Sequence, residues 1–249
     1  MNFPILKRLI PSLSILLAKI INKKEQYYKI NNLYFFLDIL DPIDREIILK
    51  KNYETEEIKK LLIFISKRNV LNFIDIGSNL GYYSFIIRKK FPEIKIFSFE
   101  PNQKAFNKLK KTKKKNLIFK KKFKIFNFGL SDKNSVLKMF AQKKHGQPHT
   151  NSSIFYGEKK DKSLAISKGK FRIGDEVLKI KNESTVLKID VEGHELNVLK
   201  GIKKLLLRNK CIILIEIGKQ NYRLVNNFLN FIGYKKVYKS SLRDNYFYI

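Results

Sequence analysis

The sequence predicts an α/β fold in which strands alternate with helices around one open sheet, and three stretches predict it. Leu71, Phe73, Ile74 and Ile76 form a short apolar run suited to a buried central strand. After a glycine turn, Tyr82, Phe85, Ile86 and Ile87 resume at helical spacing. Ile94 to Glu100 repeats the pattern as an alternating strand that ends on an acid, with Pro101 marking the turn before a helix from Gln103 to Lys111. Thr185 to Asp190 is a third such strand, running into a helix that carries Leu196 and Leu199. With 249 residues, 44% of them hydrophobic and 13% aromatic, the chain can bury a sizeable core in one principal domain.

The first strand and turn read as a ligand cradle. Gly77 and Gly81 permit positive φ and close approach, and the helix opening behind them presents unpaired N–H groups and a positive dipole end. The spacing runs Asp75, Gly77, Asn79, Gly81 at every second position. It points to a nucleotide-type cofactor and lacks the third glycine of the fingerprint that holds a dinucleotide pyrophosphate. Asp75 lies at the carboxyl end of its strand, where open α/β sheets bind ligands. Glu100 follows Gly77 by 23 residues, close to the ~20-residue offset at which a second-strand acid accepts from ribose hydroxyls. Phe123 to Leu130 predicts a third strand, ending at Ser131-Asp132. Asp132 is placed either to accept from an exocyclic adenine amine or to serve only as a turn residue.

Around this centre, the chain is strongly basic, with 52 Lys and Arg against 22 Asp and Glu and a net charge of +30. An anionic partner, nucleic acid or an acidic membrane surface, is one reading; compositional drift toward Lys, Ile, Asn and Phe is the other. The single cysteine, Cys211, sits in an apolar run and reads as a small buried hydrophobe, so no disulfide framework exists and a reducing, cytoplasmic setting is expected. Residues 1–50 read as an N-terminal extension and 51–249 as the main domain. The apolar stretch before Lys23 is too short to span a bilayer. It is either a basic helix lying on the inner face of the membrane or a plain packed helix.

Tyr27 to Asp41 predicts a strand or hairpin, Asp44 to Lys51 a short helix, and Glu54 or Thr55 the start of a longer one; together they form a cap over the sheet. Tyr53-Glu54 sits where such a cap would approach the ligand, and Glu54 is either a site residue or a dipole partner of its helix. The lysine run from Lys108 to Lys122 reads as a solvated helix end and loop. Residues 133–182 carry two strand-like stretches, Val136 to Ala141 and Phe171 to Ile180. Between them lies an aperiodic segment with His145, His149 and Asn151 to Ser153, expected to be a recognition loop rather than a metal site.

Asp190, Glu192, His194 and Glu195 crowd three acids and a histidine into six positions at the end of a central strand. Four motifs now stand together: Asp-Ile-Gly-Ser-Asn-Leu-Gly at 75–81, Phe-Glu-Pro at 99–101, Leu-Ser-Asp at 130–132 and Lys-Ile-Asp-Val-Glu-Gly-His-Glu at 188–195. Over roughly residues 50–217 the chain resembles the FkbM family of S-adenosylmethionine-dependent methyltransferases. The resemblance implies a Rossmann-like, seven-stranded doubly wound sheet with its last strand antiparallel. It also implies S-adenosyl-L-methionine as cofactor and O-methylation of a hydroxyl, often on a sugar of a glycan or natural product. Cys211 to Ile217, a helix from Tyr222 to Phe231 closed by Gly233, and the pair Lys235 to Tyr238 and Tyr246 to Ile249 supply the remaining elements.

Such a reaction displaces a sulfonium methyl in line by an oxygen nucleophile, and positioning alone can supply ~7–11 kcal/mol of the barrier reduction. His194 is the first choice of general base because its reference pKa of ~6.5 lies near working pH. Asp190 is the alternative, with Glu192 or Glu195 orienting either group. The expected partner is a glycan or small-molecule hydroxyl acceptor. An RNA-modifying enzyme or RNA-binding module would make the basic surface primary, yet neither an amine-methylating motif nor an aromatic RNA platform is evident. The missing third glycine argues against a nicotinamide-dependent oxidoreductase.

Overall fold

The structure, a computed structural model, describes residues 24–116, 121–144, 147–148 and 164–249. In chain order the elements are β1 (Glu25–Ile30), β2 (Leu33–Asp38), α1 (Pro42–Lys50), α2 (Thr55–Ser66), β3 (Asn72–Ile76), α3 (Tyr82–Lys90), β4 (Lys95–Phe99) and α4 (Gln103–Lys115). Next come β5 (Phe123–Phe126), β6 (Gly129–Ser131), β7 (Ser135–Lys144), β8 (Gln147–Pro148), β9 (Leu164–Ile173) and α5 (Gly174–Val177). The chain closes with β10 (Ser184–Ile189), α6 (Glu195–Gly201), α7 (Lys203–Arg208), β11 (Lys210–Glu216), α8 (Lys219–Phe231), β12 (Lys236–Lys239) and β13 (Asn245–Tyr248).

Seven strands form the central sheet in the order β12-β13-β11-β10-β3-β4-β5. β3 is parallel to β4 and β10, and β10 to β11, while β13 runs antiparallel to both β11 and β12. The expected doubly wound sheet with its antiparallel final strand is therefore present. Chain direction across the sheet reverses between β3 and β10, because β4 and β5 extend it one way and β11 and β13 the other. A topological switch point of this kind opens a crevice at the strand carboxyl ends.

Side chains alternate cleanly between two cores. Phe73, Ile96, Val186, Ile212 and Leu214 face one of them, and Ile74, Leu187, Ile189, Ile213 and Ile215 face the other. Both faces are covered, which is why the central strands are so uniformly apolar. The β1–β2 hairpin, α1 and α2 share the first core: Phe35 lies against Tyr82 and Phe85, and Phe64 against Phe247. A buried ion cluster fastens this cap to α4. Lys108 pairs with Asp44 and lies 3.8 Å from Asp41, and Lys104 is 3.4 Å from Asp38. Asp41 also caps α1 by accepting from Ile43 N at 3.1 Å.

Three expectations change. Lys108, expected at the start of a solvated run, is buried against Asp44. The strand expected over Phe123 to Leu130 stops at Phe126, and Gly129–Ser131 joins a separate sheet ordered β6-β9-β7-β8. Between them Asn127 turns its amide to Glu100 O at 3.0 Å, which competes with continuing the ladder. The strand expected over Phe171 to Ile180 ends at Ile173, where α5 begins. Asp175 there accepts from Lys204 N and Leu205 N at 2.9 and 2.8 Å and so caps α7. The amino-terminal helix, His145, His149 and Asn151 to Ser153 lie outside the described residues. Among the described residues no helix is long and apolar enough to cross a membrane.

Candidate active site

The turn after β3 is held open by backbone conformations that most side chains avoid: φ is 76° at Gly77, 48° at Asn79 and 86° at Gly81. A Cβ on Gly77 would lie 1.8 Å from Asp190 O, so glycine is what lets the β3 and β10 ends meet. Gly77 N and Ser78 N both donate to Phe99 O at 3.0 Å, which ties the turn to the end of β4. One residue later Glu100 accepts from Asn79 N through Oε2 at 2.7 Å and from Asn102 N through Oε1 at 2.8 Å. Burial raises its pKa to about 7; the two backbone donors pull the other way, and Asp190 and Asp75 add to the rise.

These groups face a cleft that encloses about 1020 Å³, part of it open to solvent, at the carboxyl ends of β3, β4, β10 and β11. Pro101, Leu130, Met139 and Phe171 are among its apolar lining residues. Of the six residues expected to hold a cofactor, Gly77, Asn79 and Glu100 line this cleft. Asp75, Gly81 and Asp132 do not. Asp75 is buried within β3 and accepts from Ser84 Oγ at 2.6 Å, and Gly81 is the N-cap of α3. Asp132 accepts from Ser131 Oγ and Asn197 Nδ2, each at 3.1 Å. These hydrogen bonds hold its pKa below the usual range against the opposing effect of burial.

Past β10, Asp190, Glu192 and His194 all line the cleft. Asp190 Oδ2 is 2.9 Å from Lys188 Nζ. His194 is buried, with Nε2 2.9 Å from Ser131 Oγ and its ring edge-on to Phe171. Burial lowers its pKa, Asp132 opposes that and Lys133 reinforces it. Glu192 is exposed with φ of 51°. Glu195 instead closes the start of α6, accepting from Gly193 N at 2.6 Å and Asn221 Nδ2 at 3.3 Å.

A further group completes the cleft: Tyr53, Lys188, Glu216 and Arg243 line it, and Glu54 contacts two of the lining residues, Tyr83 and Arg243. Glu54 accepts from Tyr83 OH at 2.6 Å and lies 3.1 Å from Arg243 Nη1. Arg243 also stands over the Tyr53 ring, 4.9 Å from its centroid. Lys188 could have been noticed as a cation inside an apolar strand. Arg243 carries no local signal, because only the fold brings the β12–β13 connection to the cap.

In fold, the chain is similar to an FkbM methyltransferase from Methylobacillus flagellatus KT (TM-score 0.51, 15% identity), the likeness covering 72% of this chain and 43% of that one. The chain thus spans less than half the length of that protein. It is also similar to a candidate caffeoyl-CoA O-methyltransferase from Staphylococcus aureus (TM-score 0.50, 12% identity), over 96% and 98% of the two chains. No curated protein matches it by sequence. The methyltransferase FkbM domain matches residues 75–239, and with that match spanning the turn, Glu100, Asp190 and His194, the chain belongs to the FkbM methyltransferase family.

Proposed function

We propose that this protein is an S-adenosylmethionine-dependent O-methyltransferase that methylates a hydroxyl of a sugar, in a surface glycan or a related natural product. The observation that carries the cofactor half is Glu100. Its carboxylate faces the cleft, immobilised by two backbone N–H groups, and retains lone pairs for two vicinal hydroxyls. The Gly77–Asn79 turn beside it admits close approach, and Asn79 Oδ1 is a buried acceptor with no hydrogen-bond partner among the described residues. Adenosine and an amino-acid tail fit this set. Glu100 would hold the ribose, the turn the tail, and Pro101, Leu130, Met139 and Phe171 the base.

When bound, S-adenosylmethionine supplies a methyl group on a sulfonium. The chain's own share is to position the acceptor, to exclude water, and to take the hydroxyl proton. His194 is the base in this proposal: burial keeps the imidazole neutral, and Ser131 fixes the ring. Asp190, steered by Lys188, is the second candidate, and Glu192 lines the same wall. Such a base contributes ~10²–10⁴-fold. The reaction is placed in the cytoplasm, where the basic surface would allow contact with the inner face of the membrane. Mass spectrometry of surface glycans from cells with and without the gene tests the proposal. It predicts one sugar lighter by a methyl group in the deletion, and unchanged glycans would count against it.

A further inference from the structure

The charge of the cleft is opposite to that of the protein. Over the whole chain Lys and Arg outnumber Asp and Glu by 52 to 22. Among the charged residues lining the cleft the balance reverses, with Glu100, Asp190, Glu192 and Glu216 against Lys188 and Arg243. Compositional drift toward lysine would fill a neutral cleft with cations, so this reversal needs a local reason. Both cations are already engaged: Lys188 Nζ is 2.9 Å from Asp190 Oδ2, and Arg243 Nη1 is 3.1 Å from Glu54 Oε1. Glu216, at the end of β11, makes neither an ion pair nor a side-chain hydrogen bond among the described residues. It lines the cleft together with Asp190 and Arg243.

The environment of Glu216 holds its carboxyl largely protonated at neutral pH. Its pKa is raised to about 8, first by the charge of Asp190, then by burial, then by Glu54 and Glu192, while Lys188 opposes the rise. A cation arriving beside Glu216 would draw it into its ionised form and gain an ion-pair partner, whereas an anion would keep it protonated and gain none. Tyr53, with Arg243 over its ring, gives the same end of the cleft an aromatic surface against which a sugar ring can rest. Glu54 stands at φ 45°, an uncommon conformation for a non-glycine residue, which turns it toward Tyr83 and Arg243.

Resting on the methyltransferase reading above, we infer that the acceptor is a polyhydroxylated compound bearing a protonated amine, an amino sugar, whose ammonium is received by Glu216. Acceptors carrying phosphate or carboxylate, RNA included, find no such partner there. The basic exterior therefore has no part in choosing the substrate of this cleft.

The test uses the full chain with S-adenosylhomocysteine and three probes, the methyl glycosides of glucosamine, glucose and glucuronic acid, read by saturation-transfer NMR. The glucosaminide is expected to bind at least about tenfold tighter than the glucuronide, with the glucoside between them. Glu216→Gln is expected to erase most of that preference while leaving the melting temperature and S-adenosylhomocysteine binding in place. Equal binding of glucosaminide and glucuronide, a preference for the acid, or no binding of the glucosaminide overturns the inference. So does a Glu216→Gln protein that loses S-adenosylmethionine affinity but keeps S-adenosylhomocysteine affinity, since the carboxylate would then serve the sulfonium. Failure of S-adenosylhomocysteine itself to bind, read from its own signals, overturns the parent reading and this inference with it.

Discussion

Glu100 gives the cofactor assignment a pH signature. Its carboxyl titrates near 7 because burial outweighs the two N–H donors from Asn79 and Asn102, with Asp190 and Asp75 adding repulsion. Ribose hydroxyls are donors, and each oxygen of the ionised carboxylate keeps an acceptor lone pair beyond its backbone hydrogen bond, where the protonated carboxyl turns one oxygen into a donor. Affinity for S-adenosylmethionine should follow the ionised fraction, which is about one half at pH 7.0 and about 3% at pH 5.5 for a group of that pKa. The dissociation constant is thus expected to weaken about fifteenfold over that interval. Isothermal titration calorimetry at the two pH values measures it directly. In Glu100→Gln the slope should vanish and binding should be weak throughout. A flat wild-type profile would refute the reasoning, as would a slope that survives in Glu100→Gln and so belongs to another group. Stability carries the same signature with its sign fixed. A carboxyl raised in the folded state contributes stability below its unfolded pKa of 4.5 that is lost as pH rises through about 7, and Glu100→Gln should remove that part of the decline.

Other expectations follow from the geometry. His194→Ala should keep cofactor binding and lose about 10²–10⁴-fold in kcat in a methyl-transfer assay, and unchanged turnover would remove it as the base. Gly77→Ala adds a Cβ 1.8 Å from Asp190 O at a φ of 76°. Denaturant titration should show about 2–4 kcal/mol of lost stability, together with loss of cofactor binding. Lys108→Met leaves Asp44 buried without its cation and should destabilise by about 3–5 kcal/mol at pH 8; Asp44→Asn in the same chain should recover much of this.

The features legible in the sequence are those whose signal is local. The apolar run before Gly77, the positive-φ turn and the acid closing β4 are each written within ten residues, and the Asp190 to Glu195 cluster is likewise contiguous. All of them meet at the switch point because parallel strands put their carboxyl ends on one side. Asp132 follows β6 into the second sheet, where its carboxylate accepts from Asn197 Nδ2. Tyr53 stands beside Glu54 in the expected cap and Glu216 at the end of an expected strand, but nothing in the neighbours of Arg243 marks it. Their meeting depends on the cap and on the β12–β13 connection. That connection is held to α2 by Glu57 accepting from Ser240 Oγ at 2.5 Å and by Glu56 accepting from Ser241 N at 3.0 Å. The Phe126 break was hidden for a related reason, since the Asn127 amide chooses Glu100 O only when β4 lies alongside.

Ligand-dependent stability tests the central claim most directly. Thermal unfolding with S-adenosylmethionine at a hundredfold excess over its dissociation constant should show a gain of about 2.7 kcal/mol, and NAD at the same concentration should show none. Equal gains from the two, or no gain from S-adenosylmethionine, would contradict the account.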